Sequence, residues 1–280
     1  MESQFDYILY HTIKDSMLNT IEYVQSQYEN EDSDFLFTDF GNLKFHKGDL
    51  IIFAGTNSIG KTAFAVSLIN QLAVTKKKPV GVAMPGKMDS KELCLRLISM
   101  NSEIPYHKFR SGMLTKDDFE KMKTITVPIY EAPVFTFRET NCHFEYSLED
   151  AAKQMHEQNN IRLLIVDDFD YMDEYLNSPE YIEELLDSFK ELAKELHIPI
   201  ILVMNISEEE EGMQPGLHSF KRNMIIPEKA DMVLLLHRDF NKEESDSCSA
   251  EIIVAKNESG ICQNIPMKFH PGIMKFETMF

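Results

Sequence analysis

The chain has 280 residues, 43% of them hydrophobic and 26% charged, which is enough apolar matter for one large buried core or two small ones. Its 28 Lys+Arg against 46 Asp+Glu give a formal net charge of −18, so a polyanion must be met by a local basic patch against the overall field. No stretch nears the roughly 18 unbroken apolar residues of a membrane helix, and the start Met1-Glu2-Ser3-Gln4-Phe5-Asp6 lacks the basic-then-apolar order of a secretory leader.

A cytoplasmic protein with no membrane contact is therefore expected. Cys94, Cys142, Cys248 and Cys262 are scattered, without a C-x-x-C pair or a histidine at zinc-ligand spacing, and read as free thiols. Neither a disulfide framework nor a metal cage is expected.

In chain order, Tyr7 to Tyr28 sets Ile8, Ile13, Met17, Leu18, Ile21 and Val24 at mixed three-, four- and five-residue spacings, which predicts an amphipathic helix. Glu29-Asn30-Glu31-Asp32-Ser33-Asp34 follows as a polar linker. The chain thus divides into residues 1–34, helix and linker, and residues 35–280, one α/β domain. A lone helix has no core of its own, so it must pack on its own domain or on a neighbouring subunit.

Next comes the most specific local signal. The apolar run Leu50-Ile51-Ile52-Phe53-Ala54 leads into Gly55-Thr56-Asn57-Ser58-Ile59-Gly60-Lys61-Thr62, and a helix-like stretch from Ala63 to Leu72 follows. Strand, glycine loop and helix in that order make a phosphate-binding loop, whose backbone N–H groups and helix N-terminus form a concave anion site. Lys61 would reach the β- and γ-phosphates of a nucleotide, and Thr62 would give its hydroxyl to Mg2+. Lys76-Lys77-Lys78, between that helix and the next strand, reads as a solvated turn.

Strands are expected near Val80 to Ala83, Ile125 to Tyr130, Leu163 to Val166, Ile200 to Met204, Met232 to Leu236 and Glu251 to Val254. Helices near Ser90 to Met100, Leu148 to Gln158 and Tyr181 to Leu196 lie between the earlier ones, which argues for a mainly parallel sheet flanked by helices. The strand Leu163-Leu164-Ile165-Val166 ends in Asp167-Asp168, and a buried parallel strand delivers its C-terminal residues to the ligand edge. Asp167 is placed to hold magnesium directly or through water, the alternative being an ordinary solvated strand end. Asp167, Asp168, Asp170 and Asp173 lack the glycine and spacing of a calcium loop.

Phe37-Thr38-Asp39-Phe40, Lys47-Gly48-Asp49-Leu50-Ile51-Ile52 and Gly60-Lys61-Thr62-Ala63-Phe64-Ala65 resemble the motor domain of DnaB-type replicative helicases. The likeness continues through Leu192-Ala193-Lys194-Glu195-Leu196-His197-Ile198-Pro199-Ile200, Ala230-Asp231, His237-Arg238-Asp239 and Ala250-Glu251-Ile252-Ile253-Val254-Ala255-Lys256, in the family's order. It runs from about residue 8 to the C-terminus without the family's collar domain, as in a fragment or in a phage- or plasmid-type short form. The resemblance implies a RecA-like P-loop NTPase core that uses ATP and Mg2+. It also implies that the N-terminal helix docks on the adjacent subunit of a homo-oligomeric, hexameric ring acting on single-stranded DNA.

Departures from the family pattern bear on activity. Within Ala83-Met84-Pro85-Gly86-Lys87-Met88-Asp89, Lys87 stands where the resemblance implies a Glu that polarises the attacking water, a loss of about 10²- to 10⁴-fold in rate. Asp168, beside Asp167, is the alternative base. In Lys256-Asn257-Glu258 the lysine survives, but Glu258 replaces the arginine finger, which is worth roughly 10³- to 10⁵-fold. Arg238 is the nearest alternative cation and, with Lys256, a candidate to act in trans on a neighbouring subunit's nucleotide, and Asn205 stands where the family has a Gln that senses the γ-phosphate.

The loops that the resemblance places in the ring's pore hold Asp173-Glu174-Tyr175-Leu176-Asn177-Ser178-Pro179-Glu180 and Ser207-Glu208-Glu209-Glu210-Glu211-Gly212, which repel a DNA strand. Lys221-Arg222 is the basic exception, either a DNA contact or a solvated pair. Two functions follow. One is an ATP-dependent translocase on single-stranded DNA. The other is a degenerate relative that binds ATP as a structural or regulatory ligand, in contact with a full-length helicase or other replication proteins.

Overall fold

The apolar run Leu50–Gly55 forms strand β3, and every residue in it is buried, as befits a strand covered by helices on both faces. The computed structural model describes residues 13, 17, 21, 35–41, 43–86, 88–137, 144–169, 179–206, 214–221, 223–238 and 248–279. Ahead of β3, β1 (Phe35–Phe37) and β2 (Lys44–His46) form an antiparallel pair with Leu36 and Phe45 buried. After it come α1 (Lys61–Ile69), a π-helical continuation over Asn70–Thr75, and β4 (Val80–Ala83). The chain then runs α2 (Ser90–Ser102), α3 (Tyr106–Ser111), α4 (Lys116–Tyr130), β5 (Val134–Phe137), α5 (Phe144–Asn159), β6 (Leu163–Val166), α6 (Pro179–Leu196) and β7 (Ile200–Asn205). A 3-10 turn (Leu217–Phe220), the short α7 (Ile225–Lys229), β8 (Met232–His237), β9 (Ser249–Asn257), β10 (Asn264–His270) and β11 (Lys275–Thr278) complete it.

The main sheet has nine strands in the order β11-β10-β9-β8-β3-β7-β6-β4-β5. Strands β8, β3, β7, β6, β4 and β5 run parallel, and β9 to β11 add an antiparallel edge. The expected mainly parallel sheet flanked by helices is the observed one. Side chains alternate along β3: Ile51 and Phe53 join Phe64 and Leu68 of α1 in one core cluster, while Leu50, Ile52 and Ala54 join Leu185, Leu186 and Phe189 of α6 in the other. Phe64 packs its ring against Phe40, Phe53 and Phe276 at centroid distances of 5.1, 4.7 and 5.9 Å. Each such ring contact adds roughly 0.5–1.5 kcal/mol beyond burial, so the first turn of α1 is locked against the sheet.

One expected element is corrected. Ile125–Tyr130 is not a strand but the end of α4, which packs along α2. Thr115 accepts from the Asp118 N–H while Asp118 accepts from the Thr115 N–H, a capping box that starts the helix at Lys116. Met122, Ile125 and Ile129 then fall at helical spacing and are half-buried. The β-branched run Ile125-Thr126-Val127 suggests a strand from local preference, which a capped helix with a packing partner overrides. The edge strand is Val134–Phe137, beside β4.

Ile13, Met17 and Ile21 are helical and 81%, 54% and 50% exposed. The rest of Tyr7–Tyr28 and the linker 29–34 lie outside the described residues. Among the described residues no helix is long and apolar enough to cross a membrane.

Candidate functional site

Where β3 ends, the loop Gly55–Gly60 turns into α1, and its glycines are there for steric reasons. Gly60 has φ 114°, a conformation L side chains rarely adopt. A Cβ on Gly55 would lie 2.9 Å from the Ile59 side chain and 3.1 Å from the Leu236 carbonyl, so only glycine fits without a shift. Ser58 also has positive φ, 61°. The α1 N-terminus opens onto this loop with no acidic residue in its first turn, and the first amides of a helix lack intrahelical acceptors. The cradle suits an anion.

Side chains from distant parts of the chain converge on the loop. The Lys61 ammonium donates to the Gly55 carbonyl at 3.1 Å, the Thr56 carbonyl at 2.8 Å and Asn205 Oδ1 at 2.6 Å. Asn205 ends β7, where the Ile206 N–H also donates to Gly55 O at 3.1 Å, fixing that strand end to the loop. Thr62 Oγ1 donates to the Asp167 carboxylate at 3.1 Å, linking residues 105 apart in sequence. Asp167 follows β6 and its N–H donates to Ala83 O at 2.9 Å. A hydroxyl and a carboxylate held together are hard oxygen donors of the kind magnesium prefers, so Thr62 and Asp167 fit that ion.

Asp167 is 3% exposed, and burial pushes its carboxyl from 3.8 up to about 6. The Thr62 hydroxyl opposes this, the Asp168 charge adds to it, and the charges of Arg96 and Lys61 oppose it. The folded state therefore holds this proton to higher pH than the unfolded chain, so stability falls as pH rises from about 4 through 6 and stays lower above. Asp167→Asn is expected to stabilise the nucleotide-free protein at neutral pH by up to about 3 kcal/mol. The same change should weaken magnesium-dependent nucleotide binding. Thermal melts with and without Mg-ATP measure both.

Asp168 is half-buried with φ 69°, and a Cβ on Gly86 would run into its carboxylate. Glycine at 86 thus lets the Asp168 side chain lie against the end of β4. Arg238 sits in cis beside the loop, its Nη1 donating to Ile59 O at 3.3 Å and its guanidinium 4.4 Å from the Phe269 ring centroid. Lys87, Asp170, Asp173, Ser207–Gly212 and Arg222 lie outside the described residues, whereas Lys221 is exposed just after the 3-10 turn between β7 and β8.

Lys256 and Glu258 are elsewhere. Because β9 runs antiparallel to β8, with Asn257 opposite Met232, they lie at the sheet edge away from the phosphate loop. Lys256 Nζ donates to the carbonyls of Pro227, Glu228 and Ala230 at 3.2, 3.0 and 2.5 Å, satisfying the C-terminus of α7, and pairs with Glu258 at 2.9 Å. Lys256→Ala is expected to destabilise the chain by about 1–3 kcal/mol, since a charged donor is removed from three carbonyls. The urea midpoint reads this without any oligomer.

Arg96, on α2, is a residue that sequence reasoning misses. It pairs with Glu92 at 3.1 Å and stacks on Tyr106, yet its charge reaches Asp167. In sequence it shows only as an i,i+4 ion pair on a helix.

The family model described as DnaB-like helicase C terminal domain matches residues 36–278. A probable replicative DNA helicase of Trieres chinensis is 30% identical over 244 residues, covering 83% of this chain and 53% of that protein. The replicative DNA helicase DnaB of Treponema pallidum is 27% identical over 270 residues, covering 93% of this chain and 59% of that one. This chain thus spans little more than half the length of these relatives. One protein solved as an isolated ATPase domain superposes with a TM-score of 0.83 at 19% identity, covering 97% of this chain and 100% of that one. A DnaB-like replicative helicase, solved in a study of its interactions with primase, gives a TM-score of 0.82 at 19% identity, covering 96% and 67%.

Proposed function

Because this chain belongs to the DnaB-like helicase C-terminal domain family, with its RecA-like fold, we propose that it is a motor domain that binds Mg-ATP and acts on single-stranded DNA in replication. The observation that supports this most directly is the convergence of Lys61 with Asn205, and of Thr62 with Asp167, around one glycine loop. Gly55 to Thr62 would cradle the phosphates, Lys61 would leave its carbonyl partners for the β/γ-phosphates, and Thr62 with Asp167 would hold the magnesium that neutralises them. Asn205 would sense the γ-phosphate, and Asp168 would orient water. Arg96 and Arg238 are cations of the same subunit. Lys221 and Arg222 are the candidate DNA contacts in the loop after β7.

The protein would work in the cytoplasm as a homo-oligomeric ring, a hexamer by family likeness. Ile13, Met17 and Ile21 lie one helical turn apart and are exposed in the protomer, as a helix that docks on a neighbour requires. By family likeness Lys256 would be a candidate to act on a neighbour's nucleotide, since it lies at the sheet edge away from its own loop.

The placement of Lys256 also favours a second reading. Its ammonium is committed to three carbonyls and to Glu258, so this edge offers a neighbouring phosphate a carboxylate beside a tethered lysine. Together with Lys87 in the expected place of a base, this supports a chain that binds ATP without fast turnover and serves a full-length helicase or another replication protein. Steady-state ATP hydrolysis with and without single-stranded DNA, at stated salt, separates the two. A motor turns over ATP and is stimulated by DNA, whereas a binder is stabilised by nucleotide with turnover at background.

A further inference from the structure

We propose that the outer face of the β1–β2 hairpin is a second binding surface for single-stranded DNA, distinct from the phosphate site and from the loops after β6 and β7; it rests on the reading of this chain as a single-strand motor. An antiparallel pair with one face in the core ordinarily shows polar residues on the other. Here Leu36 and Phe45 fill the inner face, while the outer face pairs Phe35 with His46 and Phe37 with Lys44. Phe37 is 48% exposed. The Phe35 and Phe37 rings are 6.4 Å apart, the His46 ring meets Phe35 at 5.1 Å, and Lys44 Nζ lies 5.0 Å from the Phe37 centroid.

Positive charge gathers at the same place. Lys76 donates to the Phe37 carbonyl at 3.4 Å and pairs with Asp39 at 2.6 Å, which sets the turn Lys76-Lys77-Lys78 against the hairpin and leaves Asp39 neutralised. Lys78 is exposed, and Lys77, also exposed, donates to the Pro128 carbonyl of α4 at 3.3 Å, so Lys44 and Lys78 are the cations nearest to hand for a phosphate. In a chain of net charge −18 this is the local basic patch that a polyanion needs. Aromatic rings interleaved with lysines accept an unstacked base on the ring and its phosphate on the ammonium, and only a single strand presents open base faces. The hairpin's turn also walls, with Gln263 and Asn264, a polar groove of about 480 Å³ in which a strand could continue.

Fluorescence anisotropy of a labelled oligothymidine with the full chain, over a series of salt concentrations and with or without a magnesium–ATP analogue, tests this. Phe37→Ala is expected to weaken binding about 5- to 150-fold without altering the salt dependence. Lys44→Ala is expected to flatten the slope of log affinity against log salt by about 0.7. Both side chains lie on the surface, and unchanged melting temperatures establish that the variants fold. If both variants bind like the parent while Lys221→Ala weakens binding, the hairpin surface is overturned and the single-strand reading stands. If the parent does not bind the oligonucleotide with or without nucleotide, both fall. If Phe37→Ala instead reduces self-association in sedimentation and leaves DNA binding unchanged, the face joins copies of the chain and the proposal is overturned.

Discussion

Replacing Lys87 with Glu and Glu258 with Arg in one chain is expected to raise ATP turnover by about 10³- to 10⁵-fold if the parent is the degenerate binder. A restored base contributes about 10²- to 10⁴-fold. A restored finger contributes about 10³- to 10⁵-fold. The two act on one transition state, so their effects will not simply multiply. The sheet edge can take the second substitution. Glu258 is half exposed and its main-chain N–H, which any residue supplies, donates to Asp231 O at 3.0 Å. The nearby Asp49 carboxyl is raised to about 6, first by burial and then by the Asp231 charge, with Glu258 adding and His46 opposing. An arginine at 258 removes one of those repulsions but also gives up the half-exposed ion pair with Lys256, so the two effects oppose one another and the melting temperature of the variant is checked beside its turnover. Each single variant, assayed for hydrolysis with single-stranded DNA, apportions the gain. A double variant that turns over no faster than the parent would mean that the hydrolytic groups lie elsewhere, with Asp168 and Arg238 the first to replace.

The parts of the site that are short in sequence are legible there. A glycine loop between an apolar strand and a helix declares itself in eight residues, and the apolar strand running into Asp167 declares the carboxylate that meets Thr62 beside that loop. Partners joined by long loops are not. That Lys61 rests on Asn205, 144 residues away, depends on β3 and β7 being neighbours in the sheet, which only the strand order fixes. Arg96 looks like half of a helical ion pair because an electrostatic reach to Asp167 leaves no trace in local spacing. Nothing near Lys256 in sequence signals that the antiparallel return of β9 brings it under the last carbonyls of α7. The strand expected at Ile125–Tyr130 fails for the opposite reason, since a local β preference is outweighed by a capping box ten residues earlier and by packing on α2. In each case the missing information is which element lies beside which.

Lys61→Ala is expected to remove most of the nucleotide-induced stabilisation. In the nucleotide-free protein the ammonium donates to the carbonyls of Gly55 and Thr56 and to the amide oxygen of Asn205, three neutral acceptors. Phosphate oxygens offer the same donor full negative charge, so exchange of partners favours the bound state, by roughly 1.5–3 kcal/mol for a charged hydrogen bond. Removing the lysine should then weaken ATP about 10- to 100-fold. At a ligand concentration near a hundred times the parent's Kd, the parent gains about 2.7 kcal/mol, and a variant bound 100-fold more weakly gains about 0.4 kcal/mol. For a chain of this size that is a melting shift of about 5–10 °C reduced to about 1 °C. The substitution acts on the magnesium side as well. Lys61 is one of the two cations that oppose the upward shift of Asp167, and without it the carboxylate holds its proton more tightly, so magnesium must compete harder for the same oxygens. Loss of ATP binding should accordingly be steeper at pH 6 than at pH 8, where Asp167 is ionised in either protein. A melting shift that survives Lys61→Ala at both pH values would place the nucleotide outside this loop, and the roles of Thr62, Asp167 and Asn205 would go with it.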